Sequence, residues 1–293
     1  MDIRRTEGSF ALAGDRGLFR RAWLSREPER VFVIAHGFAE HSGRYEALGT
    51  WFAERACAVH AYDQRGHGRS DGPRNYVNSF ADYQEDLAAV LELVRGEHPG
   101  LELVLVGHSM GGLVSAGLVC EQAPELLGVV LSGPALVLHD ALAGPRLWLA
   151  KLMRTVAPRI LIDAGLPVEG LSRDPEVCRL YEQDPWVDTR MTPSLAIAMS
   201  EAMQRITARG SQVEVPLLLL HGGSDPLCNP AGSEAFFESL PAGSAPPSAL
   251  KIYPGLLHEI FNEPERESVL GDVLDWVRRL EASRMRPAVG SGA

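Results

Sequence analysis

The sequence is short of features that would place it in several classes at once. Its four cysteines, Cys57, Cys120, Cys178 and Cys228, lie far apart and form no C-x-x-C pair. That spacing suggests neither a zinc site nor a disulfide scaffold, and it fits a reducing compartment. Lysine and arginine form no block, and the formal net charge is −10 over 293 residues. A phosphate backbone is repelled on average by such a chain, which sets nucleic-acid binding aside. No uninterrupted apolar run approaches the roughly 18 residues of a membrane span. The early arginines of "MDIRRTEGSFALAG" are not followed by the apolar stretch of a secretory signal. The expectation is a cytoplasmic protein whose membrane contact, if it has one, is peripheral. There is no internal repeat. The phosphate-cradling patterns G-x-x-x-x-G-K-[ST] and G-x-G-x-x-G are also missing, which disfavours a nucleotide-binding doubly wound protein.

What is present is an alternation of short apolar runs with longer helix-like stretches. Strand candidates lie at 9–14, 17–24, 30–37, 57–63, 101–107, 127–133, 215–222 and 249–255, and helices at about 44–56, 80–97, 110–122, 230–240 and 264–280. The first two strands, set around "GDRG", read as an antiparallel hairpin. The others are nearly continuous in apolar residues, as strands buried on both faces are. The pattern predicts an α/β protein: a mostly parallel eight-stranded sheet with helices on both faces. Residues 135–213 break the rhythm with helix-like segments punctuated by Pro145, Pro158, Pro167 and Pro193. They are expected to form a helical cap, or lid, inserted after the sixth strand, at the sheet edge where open α/β folds bind ligands. The expected division is a core of 1–134 and 214–281, a cap of 135–213 and a disordered tail of 282–293.

The chemistry gathers on one serine. In "LVLVGHSMGGLVSAGL" (103–118) an apolar strand turns on glycines around Ser109 and continues as an apolar helix. Gly107-His108-Ser109-Met110-Gly111 fits the G-x-S-x-G nucleophile elbow. A serine needs a base, and the base needs an orienting acid; on this kind of sheet the chain order is serine, acid, histidine. Six of the nine histidines precede Ser109. Of the three that follow, His139 opens the cap, His221 comes before the best acid, and His258 follows the last strand, so His258 is the candidate base. Asp225, just beyond the apolar run "VPLLLLHGG", is the candidate acid; its plainer role would be an Asx turn. Backbone N–H groups for the oxyanion are expected from Met110 and from Phe38, in the loop after an early strand. The glycine-dense "YDQRGHGRSDG" (62–72) reads as tight structural turns held by Asp63 and His67.

Together, "HGFAEHSGRY" (36–45), "DQRGHGRSDG" (63–72), "GHSMGG" (107–112), "RDPEVCRLYEQDP" (173–185), "LLLLHGGSDPLC" (217–228) and "YPGLLHEIFNEPER" (253–266) resemble the α/β-hydrolase superfamily. Within it they are similar to the monoacylglycerol lipase and lysophospholipase-like serine hydrolases, bacterial members above all. The resemblance implies the triad Ser109, Asp225 and His258 and the oxyanion donors Phe38 and Met110, in agreement with the reading from chain order. It further implies that Glu40, Arg44 and Tyr181 contact a glycerol head; Glu40 and Arg44 could equally be a structural ion pair. Phe261 departs from mammalian members, which carry a second histidine there. No metal or cofactor is called for.

The implied activity is cleavage of monoacylglycerol to glycerol and fatty acid through an acyl-enzyme. The alternatives are a lysophospholipase or broad-specificity carboxylesterase, a haloperoxidase or acyltransferase using the same triad, and a non-catalytic binding protein of the same fold. In "PRLWLAKLMRTVAPRI" the apolar Leu147, Trp148, Leu149, Leu152, Met153 and Val156 mix with Arg146, Lys151, Arg154 and Arg159. Such a helix either meets a membrane or micelle or packs on its own domain with its charges in water.

Overall fold

A computed structural model describes residues 3–12, 17–139, 145–244 and 247–285. The main sheet holds β1 (Arg4–Ala11), β2 (Gly17–Leu24), β3 (Arg30–Ala35), β4 (Cys57–Tyr62), β5 (Leu103–His108) and β6 (Gly128–Ser132). A separate pair, β7 (Ile162–Asp163) and β8 (Arg190–Met191), precedes the last two strands of the main sheet, β9 (Leu217–Gly222) and β10 (Ala249–Tyr253). The order across the main sheet is β1-β2-β4-β3-β5-β6-β9-β10. The β1–β2 and β2–β4 pairings are antiparallel and every other pairing is parallel. This is the α/β-hydrolase arrangement expected from the sequence.

The two-residue period of the strands sorts the core into two layers. Val31, Val33, Leu103, Leu105, Val129 and Leu131 pack with α2 (Ala81–Glu97) and α3 (Met110–Glu121) on one face. Phe32, Ile34, Val104, Val106, Val130 and Leu220 pack on the other face with α1 (Glu46–Ala53) and with the C-terminal helix, which runs over Arg266–Met285. Between β6 and β9 the chain forms α4 (Pro145–Val156), α5 (Pro175–Gln183) and α6 (Pro193–Thr207). Each of these opens on proline, whose missing N–H costs nothing in the first turn. Asp174 caps α5 at Glu176 N (3.0 Å), and Thr192 caps α6 at Leu195 N (3.2 Å). Then come α7 (Pro230–Glu238) after β9 and, after β10, the C-terminal helix, α8.

Several boundaries differ from expectation. The first strand is Arg4–Ala11 rather than 9–14, and seven of its eight residues are exposed, so no apolar alternation marks it. The expected turn at "GDRG" falls largely at 13–16, outside the described residues. The first helix opens as a 3-10 turn (Ser42–Tyr45) and ends at Ala53. Helix α8 continues to Met285, so the tail expected from 282 begins within a helix; Arg284 holds this last turn through Glu102 and the Leu126 carbonyl. Residues 286–293 lie outside the described residues. The β7–β8 pair occupies a segment where no strand was expected. Among the described residues no helix is long and apolar enough to cross a membrane.

Candidate active site

Ser109 stands between β5 and α3 with φ +53° and ψ −117°. An L residue held there costs about 1–3 kcal/mol, and the flanking glycines make the turn possible. A Cβ at Gly107 would lie 2.5 Å from Ser115 Oγ, and one at Gly111 would lie 2.1 Å from the Ala35 carbonyl oxygen. Strand, helix and β3 therefore close on one another only with glycine at both positions. The Ser109 N–H donates to Ser132 O (3.0 Å), and its carbonyl accepts from Leu113 and Ala135. The turn is thus tied to α3 and to the end of β6.

Asp225 follows β9, and its carboxylate is buried and fully engaged. Oδ1 accepts from the backbone N–H groups of Leu227 (2.8 Å) and Cys228 (3.0 Å). Oδ2 faces His258 Nδ1 at 2.7 Å and His221 Nε2 at 3.1 Å. Burial alone would raise the pKa of this acid. The His258 charge and the donated hydrogen bonds outweigh burial and hold the acid well below the usual carboxylate range. Burial pushes the His258 imidazole down, but the Asp225 carboxylate and the nearby Glu259 and Glu40 outweigh it and leave the pKa raised. The Cys228 thiol lies against Ser109, and burial pushes its pKa well up.

The loop after β3 is held from two sides. Gln64 N–H donates to His36 Nε2 (2.9 Å), so His36 carries its proton on Nδ1 and donates to Gly37 O (2.7 Å). Glu40 Oε1 accepts from Gly37 N–H (2.6 Å) and Tyr45 O–H (2.8 Å). A Cβ at Gly37 would lie 3.2 Å from Ser109 Cβ, which places this backbone directly over the serine. Among the described residues the N–H groups of Phe38 and Met110 are bonded to no other group. Asp63, as expected, pins the neighbouring turns through Ser42 N–H and Arg69 N–H.

A cavity of about 1000 Å³ opens on Ser109 and His258. Leu136, Leu138, Leu147, Ala196, Met199 and Met203 supply apolar wall, largely from the segment between β6 and β9. Glu40 and Tyr181 line it, and so do His108 and Glu259, which the sequence reading did not single out for this site. Arg44 is not among the lining residues; its guanidinium stacks on the Tyr181 ring at 4.6 Å and ion-pairs with Glu40. The structural ion pair left open in the sequence is thus present. Glu259 had no signal of its own beyond its place next to His258.

Two clusters bring metal-ligating types together among the described residues: His60, Glu97 and His98, and Asp225, Cys228 and His258. Protein partners already occupy both. Arg20 is bonded to Glu97 and His60 to His98 in the first, and the Asp225–His258 bond spans the second.

The Hydrolase_4 family, described as serine aminopeptidase, S33, matches residues 26–265. The chain belongs to this α/β-hydrolase family. As a Hydrolase_4 member it is 36% identical to the monoacylglycerol lipase of Mycolicibacterium smegmatis, over 93% of this chain and 97% of that protein. It is 31% identical to the phospholipase YtpA of Bacillus subtilis, over 84% of this chain and 94% of that protein. Among solved structures, the Paleococcus ferrophilus monoacylglycerol lipase superposes with a TM-score of 0.80 at 28% identity, over 96% of this chain and 100% of that one. The family resemblance stated from motifs therefore extends over nearly the whole Hydrolase_4 chain.

Proposed function

We propose that this α/β-hydrolase cleaves monoacylglycerols to glycerol and a free fatty acid, with Ser109 as nucleophile. The observation that carries the reading is the apolar cavity that ends on Ser109 beside the polar Glu40, His108 and Tyr181. The monoacylglycerol lipase relative supports it. His258, oriented by Asp225, takes the Ser109 proton as the hydroxyl attacks the ester carbonyl. The oxyanion is received by the N–H groups of Phe38 and Met110. Protonated His258 then gives its proton to the departing glycerol oxygen, and the same imidazole activates the water that hydrolyses the acyl-serine. Glu40 and Tyr181 contact the glycerol head, and Arg44 acts behind them. No step draws on a metal or cofactor.

Residues 135–213 act as the lid over this cavity. Helix α4 has two sides: Leu147 and Ala150 line the cavity, whereas Trp148, Leu152 and Val156 are 72%, 54% and 73% exposed. That spacing of four places the exposed residues in one stripe, beside Lys151, while Arg154 on the other side of the helix bonds to Glu201. The stripe meets a lipid surface peripherally and presents substrate to the cavity. The identity with a phospholipase favours a second reading, a lysophospholipase using the same triad.

The deciding experiment is product release from a monoacylglycerol, a diacylglycerol, a triacylglycerol and a lysophosphatidylcholine of one acyl chain, with Ser109→Ala as control. Preference for the monoacylglycerol, lost in the variant, supports the proposal. Equal or better turnover of the lysophospholipid replaces it with the second reading.

A further inference from the structure

Arg44 is a buried cation between two buried carboxylates. Its Nη1 donates to Glu40 Oε2 (2.9 Å) and to Glu259 Oε1 (2.6 Å), and its Nη2 donates to Glu259 Oε2 (2.8 Å). The three side chains are 9%, 4% and 5% exposed. Glu259 also accepts from Asn262 Nδ2 (2.9 Å). Each end of this chain of bonds reaches a reacting group by one residue. Glu40 grips the Gly37 N–H, and Phe38 is the next residue; Glu259 is the residue after His258. Tyr181, from α5, covers the guanidinium, and Gly170 O and Leu171 O accept from the N–H groups of His258 and Glu259.

We propose that Arg44 and Glu259 are positioning residues, forming a buried clamp that ties the loop of the oxyanion donors to the loop of the base across Ser109. The inference rests on the reading of Ser109, Asp225 and His258 as the triad. The planar fork of arginine suits the task, because one guanidinium spans two carboxylates with fixed geometry. Arg44 works from behind the cavity wall and meets no substrate. The clamp also couples the site to the lid segment, since Tyr181 and the Gly170–Leu171 backbone hold the same two residues.

The test is steady-state kinetics of the full chain with Glu259→Gln and Arg44→Lys, on a monoacylglycerol and on a short soluble ester without a glycerol head. Glu259→Gln keeps the side chain's shape, removes its charge and turns one of its two accepting oxygens into a donor, so it loosens the clamp and remains informative where an Arg44 variant does not fold. The expected result is a fall in kcat of about tenfold or more on both substrates, with KM changed less than about twofold. Glu259→Asp should recover part of the loss. The groups facing His258 are Asp225, Glu259, Glu40 and His108. Removing the Glu259 charge should therefore move the acid limb of the kcat/KM profile to lower pH, which a purely structural contact would not do.

A loss confined to KM for the monoacylglycerol would overturn the clamp in favour of a head-group contact. Unchanged kcat and an unmoved acid limb would overturn it outright. Ser109→Ala in the same assay reports on the triad by itself. Residual hydrolysis there would overturn the triad and the clamp together, whereas an inactive Ser109→Ala beside an unaffected Glu259→Gln overturns the clamp alone.

Discussion

His221 Nε2 lies 3.1 Å from Asp225 Oδ2, the same oxygen that His258 Nδ1 meets at 2.7 Å. His221 Nδ1 lies 2.7 Å from the Ser233 hydroxyl, so the ring is held at both ends. Chain order removed His221 as a base, yet the residue fixes the direction of the Asp225 carboxylate. His221→Leu keeps the volume and leaves Asp225 and Ser233 each short of a partner. The expected cost is about 1–3 kcal/mol of stability, measured by denaturant unfolding, with kcat reduced about tenfold and KM little changed.

The elbow makes a steric prediction. Gly111→Ala would set a Cβ 2.1 Å from the Ala35 carbonyl oxygen, a backbone atom with nowhere to go. The variant should lose several kcal/mol, on the scale of severe overpacking of about 1–3 kcal/mol or more, or fail to accumulate as folded protein. Gly96→Ala, on the open side of α2 with no atom near its Cβ, is the control and should be neutral or stabilising. Thermal unfolding of the pair checks the contrast.

Acid stability follows from buried neutral histidines. Burial, with the neighbouring His98, pushes His60 down to about 3; burial, with His36, pushes His67 down to about 3; and burial, with His258, pushes His108 down to about 4. In the unfolded chain each titrates near 6.5. Between those values the unfolded state binds more protons, so the stabilisation is complete above about pH 6.5 and is lost as pH falls below it. At pH 5 each of the three has withdrawn about 2 kcal/mol. His258, whose pKa is raised, works in the opposite direction but is a single group. The melting temperature should therefore fall steeply from pH 7 to pH 5, and a flat profile would contradict these assignments.

The α4 stripe predicts interfacial behaviour. Trp148→Ser with Leu152→Ser removes two largely exposed apolar side chains and should leave the fold intact. Turnover of micellar or vesicle-borne monoacylglycerol should fall about tenfold, while turnover of a short soluble ester should stay within about twofold. Equal behaviour on both would mean that the stripe meets no lipid surface.

The legible parts of this chain are those in which one physical rule acts over a short stretch. β3, β5, β6 and β9 read as strands because burial on both faces makes them apolar throughout. Ser109, Asp225 and His258 emerged from chain order, because each follows a strand whose end lies on one sheet edge; the structure brings Asp225 and His258 to 2.7 Å. β1 was misplaced because its side chains face water, so pairing with β2 rather than burial defines it. The last turns of α8 were missed because Arg284 anchors them to Glu102, 182 residues away. Glu259 was missed for the same reason, since its partner Arg44 is 215 residues distant. Contacts of that range leave no periodic trace.

The central claim is that His258 and Asp225 activate Ser109, and the pH dependence of covalent labelling tests it most directly. A fluorophosphonate probe, followed by intact-mass and peptide analysis, should add one group per chain, on Ser109. The second-order labelling rate should rise with pH through a midpoint above 6.5, because the surrounding carboxylates raise His258 above its ordinary value and only its neutral form accepts the proton. His258→Ala should reduce that rate by about a thousandfold or more. Modification at another residue, or labelling of Ser109 that is insensitive to His258→Ala, would contradict the account.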